Sequence, residues 1–267
     1  MTSPDPAPYD RPSSFDDWLQ ALKEQAAFFT GLNLGIAEPR WRLADALPVL
    51  PFLGAAIGLA AGLVFAIASG ITGVGWLAAV LAVGAAVLIT RALHEDGLAD
   101  SADGLGPHGL DVERRLEIMR DSHNGTFGVL ALAFSVLVKV AALAGLSPAT
   151  AMVVLIGAHA VSRAALAYPM LAFSPVRDDG LGVRVGKPGD NDVWLAIGLA
   201  VALAFLLLLA KGFFVALLAP LAACAAAWGA SQWVARRIGG YTGDTLGAVQ
   251  QMAEIAFLVV AAALIAR

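Results

Sequence analysis

The sequence predicts an all-α polytopic membrane protein, a bundle of about seven transmembrane helices preceded by an amphipathic helix. Three observations lead there. Of 267 residues, 59% are hydrophobic and only 14% are charged, whereas soluble domains run nearer one-quarter charged. Mean hydropathy is +0.76. Long apolar stretches recur along the chain, at the ~20 residues that a bilayer crossing needs. The net charge of −4 gives no footprint for nucleic acid. The single cysteine, Cys224, lies in an apolar run and excludes a disulfide framework or a thiolate metal site.

In chain order, residues 1–13 are polar and proline-rich and read as a disordered tail. No basic n-region precedes an apolar core there, so no cleavable signal peptide is expected. Residues 14–30 read as a short amphipathic helix, with Ser14 as N-cap and Asp16 and Asp17 in its first turn. Phe15, Trp18, Leu19 and Leu22 share a face, which suits either the membrane interface or the cytoplasmic ends of the bundle. The chain thus divides into residues 1–45, tail and interfacial helix, and residues 46–267, the transmembrane domain. Spans are expected near 47–71, 74–94, 126–146, 149–170, 193–210, 212–235 and 248–266.

The loops alternate. "ITGVG" and "GLSPA" carry no charge, whereas the other connections hold Arg40, Arg42, Arg114, Arg115, Arg120, Arg177, Arg184, Lys187, Arg236 and Arg237. The positive-inside rule makes that side cytoplasmic and leaves Lys211 and Arg267 outside.

Chemistry concentrates on the charged side. "HEDGLADSADGLG", His94 to Gly106, opens a stretch holding eight of the 21 acidic residues between Glu95 and Asp121. If the second span continues as a helix, Asp96, Asp100 and Asp103 stand at i, i+4 and i+7, on one face. Carboxylates so placed repel one another, and a cation resolves the repulsion. Mg²⁺ takes oxygen ligands and is typically held by one or two carboxylates plus substrate phosphates. Next comes "ERRLEIMRDSHNGTFG", a charged helix broken before the third span. Arg114 and Arg120 there could clamp a phosphate. Asp121 or Ser122 could cap, and the N–H groups of Gly125 and Thr126 could meet an anion. Inside the fourth span Arg163 needs an acidic partner or an anionic substrate, and Lys139 in the third poses the same problem. "DDGLGVRVGKPGD" is a basic glycine-rich loop offering Lys187 to a phosphate. "GGYTGDTLGA" places Thr242 and Asp244 to cap the last span, and Glu254 lies inside that span, where a carboxylate needs a reason.

Taken together, "HEDGLADSADGLG", "RRLEIMRDS", "GTFGVLAL", "SRAAL", "DDGLG", "GKPG" and "GGYTGDTLGA", in that order over roughly residues 40–260, resemble the cobalamin synthase (adenosylcobinamide-GDP ribazoletransferase) family. The resemblance implies an inner-membrane, magnesium-dependent transferase that completes the nucleotide loop of cobalamin from adenosylcobinamide-GDP and α-ribazole or its 5′-phosphate. It implies that Asp96, Asp100 and Asp103 bind Mg²⁺, and that Asp103 or His94 takes the proton of the attacking hydroxyl. Arg120, Asp121, Ser122, Arg163, Lys187, Thr242, Asp244 and Glu254 would contact substrate. His123 and Asn124 depart from the family's usual residues, as does Glu95 from a position that is often apolar. The lipid bilayer is the expected partner, and the sequence leaves a homo-oligomer open. A cation-coupled transporter is the alternative, but such proteins place their acids near the bilayer midplane in repeated halves. Here the acids cluster at one membrane edge and the halves do not repeat.

Overall fold

A computed structural model describes residues 11–36, 39–180 and 185–265. The tail up to residue 10, Arg184 of the basic loop and the C-terminal Arg267 lie outside the described residues.

Eleven helices are described: α1 Phe15–Thr30, α2 Leu50–Thr72, α3 Gly75–Ile89, α4 Leu93–Leu105, α5 Val112–Ile118, α6 Thr126–Ala144, α7 Pro148–Ala164, α8 Ala167–Ala172, α9 Asp190–Leu208, α10 Phe213–Ile238 and α11 Gly243–Ile265. A 3₁₀ segment, Leu43–Val49, leads into α2. Six helical stretches are long and apolar enough to cross a membrane; α3 and α4 reach that standard only as a pair, bent by 90°. The all-α reading agrees with the sequence, and so do the positions of the spans other than the second.

The bend is the main departure. The sequence places the second span near 74–94, with the acidic motif on one face if that helix continues. Instead α3 stops at Ile89, and Arg91 and Ala92 both take left-handed conformations, φ 52° and 55°. Neither residue is a glycine or proline, so nothing in the local sequence announces the turn. α4 therefore turns across the direction of α3 instead of continuing it, and it packs against α6 and α11.

Packing between spans relies on small residues, as it does where lipid supplies no hydrophobic drive to bring helices together. Gly54, Gly58 and Gly62 line one face of α2, and a Cβ at Gly54 or Gly58 would run into the α7 backbone at His159–Ala160 or Leu155–Ile156. The core behind them is largely alanine, including Ala79, Ala82, Ala158, Ala204, Ala219 and Ala253.

α1 begins with a capping box between Ser14 and Asp17, as its sequence indicates. It packs on the charged end of the bundle. Ala21 meets Trp41, Ala46 and Val49, while Phe29 shares a core with Leu47, Leu166 and Leu246. Phe15 and Leu19 remain exposed.

Candidate active site

The acidic motif forms α4, and its aspartates meet three environments. Asp96 is exposed, Asp100 half-buried and Asp103 buried. The two oxygens of Asp103 are already engaged. Oδ2 accepts from the Gly125 N–H at 2.7 Å and Oδ1 from the Gly128 N–H at 2.9 Å. A helix N-terminus attracts an anion, and the anion at the start of α6 is the protein's own Asp103 rather than a phosphate. Gly125 and Gly128 permit this, because a Cβ at either position would overlap the Asp103 carboxylate. Asp103, expected as an ion ligand or base, thus clasps α4 to α6. The Asp96 and Asp100 carboxylates have no hydrogen bond or ion pair among the described residues.

A fourth carboxylate joins them from the far end of the chain. α4 crosses the start of α11 at two glycines. A Cβ on Gly97 would lie 2.5 Å from the Asp244 carbonyl oxygen, and one on Gly247 would lie 3.2 Å from the His94 carbonyl oxygen. This close crossing brings Asp244 beside Asp96 and Asp100. Thr242 caps α11 as expected: its Oγ1 accepts from Thr245 N–H at 3.2 Å, and Thr245 Oγ1 accepts from Thr242 N–H at 2.8 Å. Arg177, which the sequence analysis used only for orientation, reaches Asp244 Oδ2 at 3.3 Å and donates to the Leu116 carbonyl at 2.8 Å.

Burial, then the neighbouring charges of Asp96, Asp244 and Asp103, push the Asp100 carboxyl up to about 7 against the pull of Arg177. The ion pair on this face, among the described residues, is that of Arg177 with Asp244. Among the described residues no three His, Cys, Asp or Glu side chains stand close enough to coordinate one ion. The donor set does not make an all-protein cage. It fits a hard cation held by one or two carboxylates, with phosphate oxygens and water completing the shell.

Two small cavities flank this face and share Gly243 and Asp244. One, of about 70 Å³, is mostly apolar and is lined by Phe28, Phe29, Leu43, Leu166 and Leu246, with His94, Asp96 and Asp244 as its polar members. The other, of about 50 Å³, is polar and is lined by Arg177, Asp179, Gly180, Tyr241 and Thr242 together with Asp244. His94 is 2% exposed. Its ring lies parallel to Phe29 with centroids 5.6 Å apart, and neither ring nitrogen has a partner.

Arg163 and Glu254 were expected to meet substrate. They are buried, and they meet each other at 3.1 Å. Glu254 Oε1 also holds Lys139 Nζ at 2.8 Å, and Gln250 Nε2 donates to Oε2 at 2.7 Å. Gln251 ties Lys139, at 2.6 Å, to Glu95, at 2.9 Å. Lys139 and Arg163 thus balance Glu95 and Glu254 inside the bundle, and Glu95 points away from the aspartate face. The adjacent Gln250-Gln251 pair, with Gln250 one turn before Glu254, was the sequence signal for this network. The remaining candidates lie at the surface. Arg120 pairs with Asp179 at 2.7 Å and Asp121 with His123 at 2.7 Å, while Ser122 and Lys187 are exposed.

The model of the family described as cobalamin-5-phosphate synthase matches residues 21–262. The chain belongs to the cobalamin-5-phosphate synthase family. Among its relatives, an adenosylcobinamide-GDP ribazoletransferase of Allorhizobium ampelinum is 46% identical over 78% of this chain and 82% of its own length. One of Bradyrhizobium diazoefficiens is 43% identical over 91% of this chain and 93% of its own. A third, of Mesorhizobium japonicum, is 43% identical over 88% and 89%. No solved structure matches this member of the cobalamin-5-phosphate synthase family.

Proposed function

We propose that the chain transfers the phospho-cobinamide group of adenosylcobinamide-GDP to α-ribazole or its 5′-phosphate and releases GMP, the nucleotide-loop step of cobalamin assembly. The family membership and the printed name of the relatives supply the reaction. The observation that carries the site is the face of Asp96 and Asp100, both without partners, beside Asp244 and between an apolar and a polar cavity.

In this reading a ribose hydroxyl oxygen attacks the phosphorus next to the aminopropanol arm. A new P–O bond forms, the bond to the GMP phosphate breaks, and GMP leaves with the electron pair. Such transfers depend mostly on positioning and on neutralising charge. Asp96 and Asp100 would hold Mg²⁺, which when bound neutralises the diphosphate oxygens. Arg177, at the polar cavity and against Asp244, supplies positive charge toward the same diphosphate. Arg120 and Lys187 lie in the neighbouring surface segments and would complete the phosphate contacts, with Asp121 and Ser122 beside them.

The attacking hydroxyl must lose its proton. Asp103 is poorly suited to take it, since both its oxygens already accept backbone N–H groups. Asp244 lines both cavities, and its Oδ1 has no partner among the described residues, so it is the acceptor we assign. The site would face the cytoplasm of a bacterial inner membrane, on the side where the positive charges collect.

The test is GMP release by the purified protein with Mg²⁺, adenosylcobinamide-GDP and α-ribazole. Asp100→Asn is expected to abolish release at normal expression and unchanged thermal stability. Full activity in that variant would remove Asp100 from the site, and ion-coupled uptake into vesicles without GMP release would favour a transporter.

A further inference from the structure

We infer that the apolar cavity beside Asp96 seats the benzimidazole ring of the incoming nucleoside, with His94 donating a hydrogen bond to that ring's one free nitrogen. The inference rests on the transfer reading above and assigns each substrate to one side of the acidic face.

The two cavities differ in chemistry. The polar one offers the Arg177 guanidinium, the Tyr241 and Thr242 side chains and glycine backbone to a nucleotide diphosphate, and the Asp179 and Asp244 carboxylates to a cation bound with it. The other offers phenylalanine and leucine side chains, and only His94 interrupts that wall away from the two aspartates at its end. Guanine carries several donors and acceptors, and most would lose their partners in such a place. A benzimidazole nucleoside is the opposite case. Its base has one polar atom that is not bonded to the sugar, and the rest is apolar ring.

His94 matches that single atom. It is 2% exposed and sits in the first turn of α4, two residues before Asp96. Both its ring nitrogens are buried without a partner. A buried polar group left unpaired is costly and calls for an explanation. A neutral imidazole has one N–H to give, and the ring nitrogen of the nucleoside is an acceptor. With the base in the cavity, the attached ribose lies toward Asp96 and Asp244, where the hydroxyl must attack. The cavity of about 70 Å³ is smaller than the bicyclic ring, and Phe28 stands at its rim, 43% exposed, on the last turn of α1. An outward turn of Phe28 admits the ring, so α1 serves as a wall of the site.

The experiment compares two nucleosides on the detergent-purified protein with Mg²⁺ and adenosylcobinamide-GDP. One is α-ribazole. The other is the corresponding indole riboside, in which C–H replaces the free ring nitrogen. For the wild type, KM for the indole riboside should rise about tenfold, the loss expected for one buried hydrogen bond. KM for adenosylcobinamide-GDP should not move. In His94→Leu the two nucleosides should have equal KM, since the donor is gone. Equal KM for both nucleosides on the wild type would overturn the inference without any variant. So would a His94→Leu enzyme that folds, keeps the discrimination and loses only kcat, since His94 would then act on the proton. If no nucleoside releases GMP from the wild type, the transfer reading itself fails.

Discussion

Asp103 and Glu254 show how one residue type takes different work from its surroundings. Both are acids where the sequence offers no cation beside them, and both read as site residues. Asp103 is instead the anion at the start of α6. Asp103→Ala would leave two N–H groups unanswered, at about 1–3 kcal/mol each when buried. The expected result is a clear fall in the melting temperature in detergent, with Asp103→Asn falling less because one acceptor remains. An unchanged melting temperature with activity lost would return Asp103 to the ion. Glu254 answers to Lys139 and Arg163. Removing one partner of a buried pair costs about 3–5 kcal/mol, so Glu254→Ala should sharply reduce the folded yield. The fraction that folds should release GMP normally per molecule. Activity lost in a folded, stable variant would contradict a purely internal role. The spacing of Asp96 and Asp100 was legible in the sequence because a helix face follows from residue number alone. The fates of Glu95, Asp103 and Arg163 were not, because each depends on which distant helix lies opposite.

At the scale of elements, the site exists because α4 turns 90° from α3 and crosses α11. Hydropathy located the spans, since the apolar runs are long and their breaks are charged. It could not locate the 90° bend, because the left-handed residues Arg91 and Ala92 carry no turn signature. α4 is then held at its C-terminal end. Arg115 donates to the Gly104 carbonyl at 2.9 Å and Arg237 to the Leu105 carbonyl at 2.7 Å, which suits the negative end of a helix dipole. The crossing itself depends on Gly97. A methyl group there meets the Asp244 carbonyl at 2.5 Å, and backbone does not yield as a flexible side chain would. Gly97→Ala should therefore push the start of α11 away from α4. The overpacking costs roughly 1–3 kcal/mol, whereas a misplacement of ~1 Å at a reacting centre costs about 10²-fold in rate. GMP release should fall far more than the melting temperature does. An active Gly97→Ala enzyme would show that Asp244 need not lie against α4.

For the whole molecule, the distribution of charge gives the fold a direction. Arg40, Arg42, Arg91, Arg114, Arg115, Arg120, Arg177, Lys187, Arg236 and Arg237 all fall at the end of the bundle that carries α4, and Lys211 alone among the described lysines and arginines falls at the other. Lys139 and Arg163 are the intramembrane pair and do not count toward orientation. Several of the arginines at the α4 end also have structural partners, Arg115 and Arg237 on α4 carbonyls and Arg177 on Asp244. The residues that would orient the chain in the membrane therefore also build the site, and the two cannot be reversed independently. Single cysteines test the direction, in a Cys224→Ala background. His108→Cys stands in the exposed turn after α4, whereas Val74→Cys and Lys211→Cys stand in exposed turns at the opposite end. A membrane-impermeant maleimide added to intact bacterial cells should label Val74→Cys and Lys211→Cys and spare His108→Cys. Inverted vesicles should reverse the pattern. Labelling of His108→Cys from outside would turn the acidic face away from the cytoplasm, and with it away from any cytoplasmic supply of a nucleotide-activated substrate.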